Sequence, residues 1–141
     1  VGFFEDEYKK QVEQLQSEGV VRFYGFQENP KPYYAQTDCV VLPSYHEGMS
    51  NVLLEAAASG RPVIASNITG CRETFDEGVS GFGFQVKDSR ALIGALRKFL
   101  SLTTEERQQM GLAGRKKVET EFDRNIVINA NEIEHISKGV K

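Results

Sequence analysis

A chain of 141 residues, 40% of them apolar, is long enough to bury one sizeable core. Its net charge of −3 argues against a nucleic-acid binder, which carries a basic face, and no apolar run approaches the roughly 20 residues of a membrane-spanning helix. Cys39 and Cys71 stand far apart with no CxxC or Cys/His cluster, so they read as reduced thiols and not as metal ligands.

Taken in chain order, residues 5–18 carry a helical pattern with Tyr8, Val12 and Leu15 on one face and Gly19 as its C-cap. Val20 to Tyr24 reads as a strand, closed by Gly25. Pro32 opens a short helix over residues 33–36, a proline placed where its missing N–H is harmless. Residues 39–42 form a short apolar strand that ends at Pro43. Ser50 or a neighbour starts a central helix, which Gly60 stops, and residues 62–65 make the next strand with Pro62 at its tolerated first position.

A brief helix over 71–76, a turn from Gly78 to Gly81 and a strand over 82–86 follow. Asp88 or Ser89 caps a helix through Leu100. Thr104 opens a long helix to about Glu121, and Asp123 starts a final one ending near Gly139, striped by Ile126, Ala130, Ile133 and Ile136. Short apolar strands separated by helices predict an α/β fold, a parallel sheet with helices on its faces, as a single domain over 1–141. The chain begins with Val1 and not Met, which suggests a piece of something longer.

Glu55 falls in the central helix where the pattern is otherwise apolar, and a carboxylate there is costly unless a polar group meets it. In open parallel sheets ligands bind outside the carboxyl ends of the strands. The strand over 39–42 therefore delivers residues 47–51 to a strand-to-helix loop. Gly48 permits close backbone approach there, and the free N–H groups of the helix start favour an anion such as a diphosphate. Glu47 and Glu55 would lie on the order of 10 Å apart, a span like that from ribose to sugar across a diphosphate. Carboxylates accept hydrogen bonds from paired hydroxyls, so both ends of a nucleotide-sugar would be gripped. Spacing alone is weak: by itself it favours Glu55 capping or bridging internally and Glu47 as a solvated loop residue.

The surrounding residues shift that balance. Pro43-Ser44-x-x-Glu47-Gly48-x-Ser50-Asn51-x-x-Leu54-Glu55-Ala56-x-Ala58-x-Gly60-x-Pro62-Val63-Ile64-Ala65 resembles the nucleotide-sugar signature of retaining glycosyltransferases with two Rossmann-like domains, the GT-B architecture, and specifically family GT4. The resemblance extends through Val21-x-Phe23-x-Gly25, Tyr34-x-x-x-Asp38, Gly70 to Glu73 and Gly78-Val79-x-Gly81-Phe82. It implies that this is the C-terminal, donor-binding domain, Rossmann-like and without its first two strands. Glu55 would bind the ribose hydroxyls. Glu47 would be the catalytic carboxylate, holding the donor sugar and supporting charge at its anomeric carbon. The backbone of Gly48, Met49, Ser50 and Asn51 would contact sugar and diphosphate.

The donor would be a nucleotide-diphosphate sugar, with UDP as the expected carrier, and the acceptor a glycan or lipid-linked species. No cofactor or metal is expected, and no Asp-x-Asp argues otherwise. The absent strands would carry the cations that neutralise the diphosphate, and an N-terminal acceptor domain is missing too. Without those strands the sheet should show a gap, rearranged pairing or a partner's strands. The expected location is the cytoplasm, with peripheral association at the inner face of the membrane as an option.

Several residues admit two readings. His46 adjoins the loop and either touches the donor sugar or is solvated. His135 reads as surface. Arg61 reads as an exposed helix-to-strand turn in preference to a phosphate contact, and Arg72 approaches phosphate or pairs with Glu73. Arg115, Lys116 and Lys117 attract an anionic membrane or form a solvated helix face beside Glu119 and Glu121. Two other functions stay open, a non-catalytic nucleotide-sugar-binding or remnant domain and, less favoured, a sugar-nucleotide epimerase of the same architecture.

Overall fold

The computed structural model describes residues 6–122, so the helix expected from Asp123, with His135, lies outside the described residues. The chain divides after Pro30 into two compact units. In the first, a 3-10 turn at Asp6–Tyr8 leads into α1 (Lys9–Ser17). Gly19 sits at φ +75°. The Gly19 and Val20 N–H groups close the helix end on the Gln16 and Leu15 carbonyls, each at 3.0 Å, the paired bonds of a Schellman cap. The expected stripe is largely exposed at Tyr8 and Leu15.

The strand expected over Val20 to Tyr24 does not form among the described residues. Three of the donors a ladder could use are taken by the helix before it. Val20 and Val21 both donate to the Leu15 carbonyl, and the Phe23 N–H donates to Gln16 Oε1 at 3.0 Å. β-branched residues make a segment fit for a sheet, but only a neighbouring strand makes it one.

The second unit runs α2 (Lys31–Tyr34), β1 (Val40–Leu42), α3 (Asn51–Ala58), β2 (Val63–Ser66), α4 (Thr69–Arg72), β3 (Gly81–Phe84), α5 (Ser89–Ser101) and α6 (Thr104–Glu121). The sheet order is β1-β2-β3, parallel throughout, with Val40 beside Val63 and Ile64 beside Phe82. All of β2 is buried, as a central strand covered on both faces should be. Val63 and Ala65 pack with Leu53 and Ala56 of α3 and with Cys71. Ile64 turns to the opposite face, against Ala95 and Phe99 of α5.

α3 is covered twice, because Leu54, Ala57 and Ala58 pack against Val118 of α6. One glycine of α6 permits a close approach to the turn after α3: a Cβ at Gly111 would overlap the Gly60 carbonyl. Full burial of side chains such as Leu53 and Leu54 is worth about 1.5–3 kcal/mol each, so α3 is held by its tertiary contacts.

Three further expectations need adjusting. The short helix expected at 33–36 is α2, two residues earlier. The helix expected over 71–76 is α4: the Cys71 and Arg72 N–H groups fold back on the Ile68 carbonyl, and the Thr74 hydroxyl takes the Cys71 carbonyl at 2.6 Å. The last strand stops at Phe84 and not Val86, because Lys87 at φ +59° turns the chain toward the Asp88 cap. Among the described residues β1 pairs with β2 alone and is an edge of the sheet.

Candidate functional site

The carboxyl ends of β1 and β2 open onto the loops that carry most of the predicted site. Ser50 is the N-cap of α3, its hydroxyl accepting from the Leu53 N–H at 3.3 Å. Its own N–H donates to the Gly70 carbonyl at 3.1 Å, and the residue is 2% exposed. Ser50 therefore anchors the loop. The first-turn N–H groups without an intrahelical acceptor are those of Asn51 and Val52.

Gly70 on α4 lies directly against the preceding loop, where a Cβ would overlap the carbonyl oxygens of Glu47 and Gly48. The Glu47 carboxylate is exposed and accepts from the Ser44 hydroxyl at 2.8 Å. Burial pushes the Cys71 thiol above its ordinary range, and the nearby Glu47 charge adds to that. The loop thus presents its glutamate on a backbone seated upon α4.

His46, Glu47 and Gly48 line one cleft of about 570 Å³ with Tyr45, Asn67, Ile68, Thr69 and Arg72. Tyr45 and His46 also wall a second cleft of about 570 Å³, reaching Phe84, Lys87 and Asp88. There the Lys87 ammonium stands 5.2 Å from the centre of the Tyr45 ring. Arg72 is exposed in the first cleft and makes no ion pair with Glu73. Met49 is 47% exposed, and Asn51 is exposed at the start of α3.

Glu55 stands apart from the wall of either cleft. From Leu53 to Ala58 every residue is buried except Glu55, which is half-buried. The polar group that meets it is the Tyr34 hydroxyl, donating to Glu55 Oε2 at 3.3 Å. Tyr34 is 5% exposed. Burial first, and the Glu55 charge second, push its phenol well above the ordinary range.

Arg61 secures that contact from the other side. Its Nε and Nη2 donate to the carbonyls of Tyr34 and Ala35 at 2.9 and 3.0 Å. Arg61 was expected as an exposed turn; it is half-buried and clamps the end of α2. Tyr34 lies within the family-like pattern, yet nothing in the spacing marks it as Glu55's partner. Nor does the spacing mark Gly70 as the seat of the loop.

Two of the three basic residues on α6 are drawn into the fold, while Lys116 is exposed. Arg115 pairs with Glu119 at 2.8 Å and donates to the Ala58 carbonyl at 2.8 Å. Lys117 bridges Asp76 and Glu121 at 3.2 and 2.7 Å. Among the described residues no helix is long and apolar enough to cross a membrane, and no three His, Cys, Asp or Glu side chains group as metal ligands.

The family model described as glycosyl transferases group 1 matches residues 2–117. This chain belongs to the group 1 glycosyl transferases. Among its curated relatives is the capsular polysaccharide biosynthesis glycosyltransferase CapM of Staphylococcus aureus, 33% identical over 70% of this chain and 26% of that protein. Another is the amylovoran biosynthesis glycosyltransferase AmsK of Erwinia amylovora, 35% identical over 89% of this chain and 32% of that protein. This group 1 glycosyl transferase chain therefore spans about a quarter to a third of the length of the relatives it matches. Its fold also overlays Anabaena Alr3699/HepE, solved with UDP, with a TM-score of 0.73 at 24% identity, over 96% of this chain and 36% of that one.

Proposed function

We infer that this chain forms the donor-binding half of a retaining glycosyltransferase that moves a sugar from a UDP-sugar to a glycan or lipid-linked acceptor. The observation that carries the reading is the pair of carboxylates flanking the start of α3. Glu47 is exposed on the loop before the helix, and Glu55 is the solvent-reaching residue in the buried stretch within it. Glu55 Oε1, free of the Tyr34 bond, accepts from the ribose hydroxyls. The diphosphate lies over the helix start, where the N–H groups of Asn51 and Val52 and the positive dipole end meet its charge. HepE, with the same fold, was solved with UDP, which fits a uridine carrier.

Bond breaking makes the sugar ring positive and the departing diphosphate more negative. Glu47, held by Ser44, supports the first charge, and fixed backbone dipoles support the second without reorganising. Gly48 and Met49 line the sugar's approach, with His46 beside them. Residues outside this chain supply further phosphate cations and the acceptor wall. The relatives' names, capsular polysaccharide and amylovoran biosynthesis glycosyltransferases, favour a surface glycan as the product, and we place the reaction in the cytoplasm. The reading calls on no metal or cofactor.

The test is turnover by the whole protein with a panel of UDP-sugars and glycan acceptors, following UDP release and the anomeric configuration of the product by NMR. A product of inverted configuration would contradict retention, and no UDP release across the panel would favour a binding module. Glu47→Gln should keep UDP affinity and lower kcat by about 100-fold or more, the range seen when one charge-stabilising group is removed.

A further inference from the structure

We propose that Tyr34 is a positioning residue for Glu55, tying one carboxylate oxygen so that the other is set for the ribose hydroxyls, with Arg61 fixing Tyr34 in turn. This rests on the reading of Glu55 as the ribose ligand.

Tyr34 itself is too buried to touch a ligand, at 5% exposure, so whatever it does to binding passes through a neighbour. Its hydroxyl reaches Glu55 Oε2 across a sequence separation of 21. Among the described residues Glu55 Oε1 shows no hydrogen bond, while the rest of its helix from Leu53 to Ala58 is buried. A half-buried carboxylate with one donor on one oxygen has its rotamer chosen and its second oxygen left for two vicinal hydroxyls. At 3.3 Å the contact is long for O–H···O, as working hydrogen bonds often are before a ligand loads the site.

The anchor is equally specific. α2 has four residues, far too few to be stable alone. Arg61, immediately before Pro62 and β2, reaches back with two guanidinium nitrogens to the carbonyls of Tyr34 and Ala35. The planar fork holds both carbonyls at once, which a lysine cannot do. Arg61, Tyr34 and Glu55 thus form one chain of contacts from the end of α3 back into its middle. The burial and the Glu55 charge that raise the phenol's pKa keep the hydroxyl a donor across the working pH range.

The experiment compares affinities of UDP and 2′,3′-dideoxy-UDP for the whole protein. The wild-type ratio should be about 10- to 100-fold in favour of UDP, as expected for hydroxyls donating to a charged acceptor. Glu55→Ala should bring it near one. Tyr34→Phe keeps the buried ring and should cut the ratio about 3- to 10-fold, yet change nothing further in the Glu55→Ala background. Arg61→Lys should cut it less, and keeps the test open if Tyr34→Phe folds poorly. An unchanged ratio in Tyr34→Phe, or a loss that persists without Glu55, overturns the positioning role and leaves the ribose reading intact. An unchanged ratio in Glu55→Ala overturns the ribose reading, and the positioning role falls with it.

Discussion

Cys39 and Cys71 are both free thiols, and their surroundings keep both protonated at neutral pH. Burial and the adjacent Asp38 charge push Cys39 up to about 11, against a smaller opposing pull from Arg107. The thiolate is the reactive form, so alkylation of the folded protein should be slow at pH 8 and accelerate as pH climbs toward 11. Rapid labelling of Cys39 at pH 7 by mass spectrometry would show that this packing is wrong. Glu55 makes the internal bridge that the sequence spacing allows, to the Tyr34 hydroxyl. Its place in an apolar helix was readable as an anomaly that needs a polar partner. The partner was not readable, because nothing local links Tyr34 to a residue 21 positions on.

Among the elements, α6 was readable nearly to the residue because its ends are written locally: Thr103 accepts from the Glu106 N–H while Glu106 returns the bond to Thr103. The segment from Val20 to Tyr24 was misread because strand propensity is a claim about a neighbour, and here the end of α1 takes its donors. α4 was misplaced for a related reason. Its position is set by contact with the loop over Glu47 and Gly48, at a glycine whose function no local pattern announces. Gly70→Val should therefore push that loop off α4 and break the bond from the Ser50 N–H. We expect a loss of about 1–3 kcal/mol in chemical denaturation, the usual cost of overpacking, with UDP-sugar affinity falling alongside. Stability and affinity both unchanged would mean that the loop does not depend on this seat.

For the whole molecule, the alternation of short apolar strands and helices was enough to give a parallel sheet with helices on both faces, and three strands in sequence order realise it. The candidate site is divided: His46, Glu47 and Gly48 share a cleft, while Glu55 faces α2. The two carboxylates can act together only through a ligand that spans the start of α3. A crystal structure of the whole protein with a bound UDP-sugar tests that directly. We predict ribose hydroxyls on Glu55, the diphosphate over the N–H groups of Asn51 and Val52, and the sugar beside Glu47. A nucleotide seated instead against Lys87 and Asp88, with Glu55 bonded to Tyr34 alone, would contradict the account.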